Sequence, residues 1–119
     1  MKTVRTEEEY ATAVNNEEDS IEVVGDLRNK ILKIKAKGKV AWGIAFAAIV
    51  VAVGMAMTGV GMPAAIASAG AATALIGTGA TTSAIAIAVA AGGTAVLTAT
   101  RDDYEIVEQN SKRLVLKRR

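Results

Sequence analysis

Few residues in this chain have the types and spacing to do chemistry. It contains no His and no Cys, which removes the commonest general base, the thiolate nucleophile and the soft metal ligands. Asp102-Asp103 is an adjacent carboxylate pair that could hold a cation, but with Arg101 beside it a solvated turn is the simpler reading. Val23-Val24-Gly25-Asp26-Leu27 has the form of a strand followed by a loop aspartate, and a turn or helix N-cap explains it as well. The glycines never lead into the Lys-Ser/Thr ending of a phosphate-cradling loop. The expectation is a protein that is not an enzyme, with no catalytic, cofactor-binding or metal site.

What remains is an arrangement of charge. All 26 charged residues lie in the flanks, 1–39 and 101–119, and the 61 residues from Val40 to Thr100 contain no Asp, Glu, Lys, Arg, His, Asn or Gln. An apolar run of about 18 residues is already a transmembrane candidate, since a helix of about 20 spans the hydrocarbon. A buried core helix pair is the competing reading, but only 119 − 61 = 58 residues remain to cover it, few for a chain of this size. Hydroxyls are among the few polar side chains inside the run. Thr58, Ser68, Thr73, Thr78, Thr81, Thr82 and Ser83 could line a pore together with backbone groups. The absence of any ionisable residue argues against a proton-coupled rotor or transporter.

Punctuation divides the run into two crossings. The first, 40–60, ends at Gly59, Gly61 and Pro63; the second, about 82–100, follows the breaker cluster GTGATTS. The segment 63–76 would be only about 21 Å long as a helix, which suits a re-entrant or interfacial piece better than a third span. Within the spans, Ala48, Ala52 and Ala56 repeat every four residues, as do Ala84, Ala88 and Gly92. Such faces let helix backbones approach closely in a membrane, so a homo-oligomer is expected.

The flanks must position these spans. Thr6 and Glu9 form a T-x-x-E capping box that opens a helix to about Asn16. SIEVV reads as a strand, and DYEIV (103–107) with RLVLK (113–117) as a hairpin. The two flanks together predict one small α+β domain of about four strands and a helix, discontinuous in sequence (1–39 with 101–119). Both termini then lie on one side of the membrane. A basic approach helix, about 26–39, carries Arg28, Lys30, Lys33, Lys35, Lys37 and Lys39 without an acid after Asp26. The positive-inside rule, with Arg101 at the far end of the hairpin, puts both termini in the cytoplasm. Trp42 stands where an aromatic interface anchor belongs. Lys33, Lys35, Lys37, Lys39, Trp42 and Arg101 are thus the candidate topology and interface residues, and the lipid bilayer, with its anionic headgroups, is the candidate partner. The net charge of +2 is too small to point to nucleic acid.

The stretch D-x-I-x-V-x-G-D-L (19–27), its Lys-rich continuation, Trp42 and the closing YEIVEQNSKRLVLKRR resemble small uncharacterised bacterial two-span membrane proteins. In these a βαβ-like flank precedes the hairpin and a β-hairpin follows it. The resemblance implies the same layout and no known activity; with the lysine distribution, the expected location is the bacterial cytoplasmic membrane. The expected function is an integral membrane protein that self-associates through its small-residue faces, structural or membrane-permeabilising. Two alternatives stand beside it: a membrane anchor whose cytoplasmic domain recruits a soluble partner, and a holin-like lysis protein.

Overall fold

The computed structural model describes residues 1–36, 38–58 and 70–119. In chain order it contains β1 (Lys2–Val4), α1 (Glu7–Asn15), β2 (Ser20–Val24), α2 (Asp26–Ala36), α3 (Lys39–Met57), α4 (Gly70–Ile76), α5 (Thr78–Ala91), α6 (Ala95–Asp102), β3 (Tyr104–Gln109) and β4 (Arg113–Arg118).

The flanks build one sheet in the order β1-β2-β4-β3, with β1 parallel to β2 and the other pairs antiparallel. Period-two side-chain alternation sets the register. Val4, Val23 and Leu114 align across it, as do Ile21 and Leu116, and all five are fully buried. On the other side of the sheet, beside buried Val115, stand polar side chains: Thr3 Oγ1 donates to Glu22 Oε1 at 2.9 Å, Arg113 Nη1 donates to Glu22 Oε2 at 2.8 Å, and Arg113 also pairs with Glu108. Asn110 turns the hairpin, its side-chain oxygen accepting from the backbone N–H of Lys112 and Arg113. The expected capping box is present, with Glu9 N–H donating to Thr6 Oγ1 at 3.2 Å and Thr6 N–H donating back to Glu9 Oε1 at 3.3 Å.

Two of these carboxylates are held in their charged form by their partners. The hydrogen bond from Arg5 N–H, then those from Thr6, hold Glu9 below its ordinary value of 4.5. Arg113 first, then Thr3, do the same for Glu22. A carboxylate whose pKa is depressed by folding stabilises the fold above its unfolded pKa and loses that contribution as pH falls through the folded one. Melting temperature should therefore decline as pH drops below about 4.5. Glu9→Gln and Glu22→Gln should flatten that decline in thermal melts followed by circular dichroism.

The apolar run forms the helical layers. At the centre is α5, which packs against α1, α2, α3, α4 and α6. Seven of its residues are buried: Ala80, Thr81, Ser83, Ala84, Ile85, Ile87 and Ala88. A helix covered from so many directions needs small residues, because neighbouring backbones must come close without overpacking. On the sheet side, Tyr10 of α1, Ile31 and Ile34 of α2 and Leu97 of α6 join one continuous core with Ala45, Ile49 and Ala52 of α3. The flank domain and the apolar helices, expected as separate parts, thus share that core.

The second expected span differs in another respect. Helices α5 and α6 meet at a bend of 113° instead of running straight through 82–100. Gly92 is the cause: it takes a left-handed conformation (φ 84°) at the end of α5, and Gly93 N–H donates back to Ala88 O at 2.9 Å. Only glycine adopts that backbone readily. The approach helix is shorter than 26–39 as well, ending at Ala36, and α3 starts afresh after an extended Gly38 (ψ 166°). Of the expected segment 63–76, residues 70–76 form α4, and 63–69 lie outside the described residues.

Candidate functional site

Helix α3 lies at the outside of the helical layers, with α4 and α5 as its principal neighbours. Trp42, Ala45, Ile49, Ala52 and Val53 form its buried stripe at three- and four-residue spacing. The opposite stripe is also apolar. Val40, Gly43, Ile44, Ala47, Val50, Val51, Gly54 and Met57 are all exposed, Val40 by 80% and Val51 by 57%. A surface helix of a water-soluble domain carries polar residues on that side. Here none occurs from Val40 to Met57. The helix has a mean hydropathy of 2.3, and only 28% of its most apolar stretch is buried within the protein. Its 19 residues extend about 28 Å at 1.5 Å per residue, close to the thickness of a bilayer's hydrocarbon.

A cationic junction stands at the N-terminal end of this stripe. Arg101, from α6, places its guanidinium carbon 4.9 Å from the centre of the Trp42 ring, a cation–π contact. Its Nη1 donates to Ile34 O at the end of α2 at 2.7 Å. Lys35, from α2, reaches the other way: its Nζ donates to Thr100 O and Tyr104 O, each at 2.7 Å. The last carbonyls of each helix are thus met by a cation of the other, which the helix dipole favours. Burial, then the charges of Arg119 and Arg101, push the Lys35 ammonium below the ordinary lysine range. Lys35→Met keeps the apolar stem but leaves these carbonyls unmet, and should cost about 2 kcal/mol of stability in urea unfolding. Arg101→Met should behave similarly.

The remaining candidates are placed as follows. Lys33 and Lys39 are exposed, Lys39 being the first residue of α3, and Lys37 lies outside the described residues. Ala52, Ala84 and Ala88 are buried, while Ala48 and Ala56 are half-buried against the core. Gly92 is the C-cap already described. Of the hydroxyls, Thr82 Oγ1 donates to Thr78 O, Thr58 Oγ1 to Met55 O, and Ser83 Oγ to Glu7 Oε1 at 2.8 Å. Thr81 is buried, and its hydroxyl has no partner among the described residues. Ser68 lies outside the described residues. Among the described candidates, Thr58 and Thr82 thus bond within their own helices and Ser83 reaches across to α1.

Asp26, Asp102 and Asp103 are exposed. Among the described residues no three His, Cys, Asp or Glu side chains come together as a metal site would need.

Two long-range pairings escaped sequence reasoning. Glu7, at the start of α1, accepts from Ser83 and pairs with Lys30 at 3.8 Å. Tyr10 OH and Thr100 Oγ1 are hydrogen-bonded at 2.7 Å in the core. Burial raises the Tyr10 pKa further above its ordinary value. These partners stand 76 and 90 residues apart, and no local spacing announces them.

No curated protein and no solved structure matches the chain. A family model described as "Uncharacterised protein PM1101" matches residues 3–117, and the chain belongs to that family.

Proposed function

We propose that this chain is a membrane protein of the bacterial cytoplasmic membrane that self-associates into a structural or membrane-permeabilising assembly, with both termini cytoplasmic. The single observation that carries the reading is the α3 stripe: from Val40 to Met57 the outward side of the helix offers water nothing polar. Exposed apolar surface of that extent marks a membrane or protein contact. Its length fits hydrocarbon, and lysines stand only at its N-terminal end. In the two-span form of the proposal, α5 and α6 supply the returning crossing. That form requires α5 to leave α1 and α2, which pack on it here.

Assembly would use the residues of α3 that the fold leaves partly open, including Ala48 and Ala56. Chemical crosslinking and native mass spectrometry in mild detergent test it. A defined oligomer supports the proposal, and a clean monomer at all concentrations sinks self-association.

A second reading, a membrane anchor whose sheet domain recruits a soluble partner, draws on one observation. Leu32, Lys35, Ala36, Glu105, Ile106, Gln109 and Arg119 line an open cavity of about 360 Å³ between α2 and β3. Glu105→Lys with Gln109→Ala, both at exposed positions on the cavity rim, separates the readings: an anchor loses its partner in pull-downs, while a self-associating assembly keeps its oligomer in native mass spectra.

A further inference from the structure

We propose that the cleft at the foot of α3 binds the phosphodiester headgroup of an anionic phospholipid, with the acyl chains lying along the exposed α3 stripe. The inference rests on the membrane reading above and gives it a lipid class. Lys39, Trp42, Thr98, Arg101 and Asp102 line a cleft of about 280 Å³. Two cations and one carboxylate leave it with a net charge of +1, suited to a singly charged phosphodiester more than to a phosphate monoester dianion.

The geometry is that of an interface. Arg101 is held in place by its bond to Ile34 O and its stacking on Trp42. One N–H is spent on Ile34 and the guanidinium has five, so its fork retains donors for a phosphate oxygen. Lys39 is exposed at the first position of α3, where the N-cap residue Gly38 supplies no side-chain cap. That turn's backbone N–H groups and the helix dipole add to the attraction for an anion. The apolar stripe begins one residue later, at Val40, and continues with Ile44. A ligand that is anionic at one end and hydrocarbon at the other satisfies both features together. A free phosphate would satisfy only the first.

The test is flotation of the intact protein with vesicles of pure phosphatidylcholine and with vesicles containing phosphatidylglycerol, at low salt. The protein should bind both and prefer the phosphatidylglycerol vesicles. Lys39→Gln, an exposed and structurally inert change, should reduce that preference about fivefold. Asp102→Asn should raise it by a similar factor, and Arg101→Lys should lower it because a point charge replaces the fork. Inorganic phosphate at matched ionic strength should leave the preference unchanged; loss of the preference would assign the cleft to free phosphate and overturn the proposal. Equal binding to the two vesicle types, unaffected by Lys39→Gln, overturns the headgroup site and leaves the membrane reading intact. Failure to bind either vesicle overturns both.

Discussion

Substituting lysine at Ile44 and Val51 together should move this protein from the membrane fraction to the soluble one without unfolding it. Both side chains are more than half exposed, at 53% and 57%. The change therefore removes no core contact and leaves no cavity. A lysine near the centre of a membrane helix costs about 2.5–3.5 kcal/mol, so a single substitution should weaken partitioning by about two orders of magnitude, and the pair by more. Circular dichroism and melting temperature of the released protein should stay close to those of the parent. Buried Ile49, on the opposite side of the same helix, is the contrast: a lysine there should unfold the protein, with or without lipid. A double variant that stays in the membrane would mean that the exposed stripe faces something other than hydrocarbon.

The second large effect concerns the small-residue faces. Ala84 and Ala88 are fully buried in α5, the helix on which α1 packs most closely. Ala84→Leu and Ala88→Leu force extra carbons into a closed space, and each should cost about 1–3 kcal/mol of folding stability. Ala48→Leu and Ala56→Leu, on the half-buried side of α3, should change stability much less and shift the oligomer distribution instead. Unfolding curves and native mass spectra on the same four variants separate the two roles. If Ala84→Leu leaves stability unchanged while abolishing the oligomer, α5 meets a second copy and not α1.

The same contrast shows what local sequence can specify. The Thr6–Glu9 capping box was legible because its partners are three residues apart. Strands β2, β3 and β4 were legible because alternation is a period-two signal. The junction at Lys39–Val40, where charge stops, coincides with the start of α3. The break within 82–100 was hidden because Gly92-Gly93 sits among many other glycines, and only the φ of 84° distinguishes a helix stop from a packing site.

The role of Lys35 was hidden for a different reason. As one of a run of lysines it reads as a topology charge, yet it is half-buried and spends its donors on carbonyls 65 and 69 residues away. Small residues carry a similar ambiguity. Ala and Gly permit close approach, but the composition is the same whether the approaching helix belongs to this chain or to a second copy. The candidate interface residues were recognisable as a group, while the pairing of Arg101 with Trp42 and Ile34 needed the tertiary fold.

The central claim is that the exposed stripe of α3 meets hydrocarbon, and the absence of cysteine from the chain makes it directly measurable. Cysteine can be placed singly at Val51 and at Lys112, both exposed in the folded protein, and probed with a membrane-impermeant maleimide in lipid vesicles. The account predicts that Val51→Cys is protected in vesicles and becomes reactive when the vesicles are dissolved in denaturing detergent. Lys112→Cys, at the hairpin turn, should react under both conditions when that side of the vesicle is open to reagent. If Val51→Cys in intact vesicles reacts as fast as Lys112→Cys, α3 faces water and the membrane reading fails.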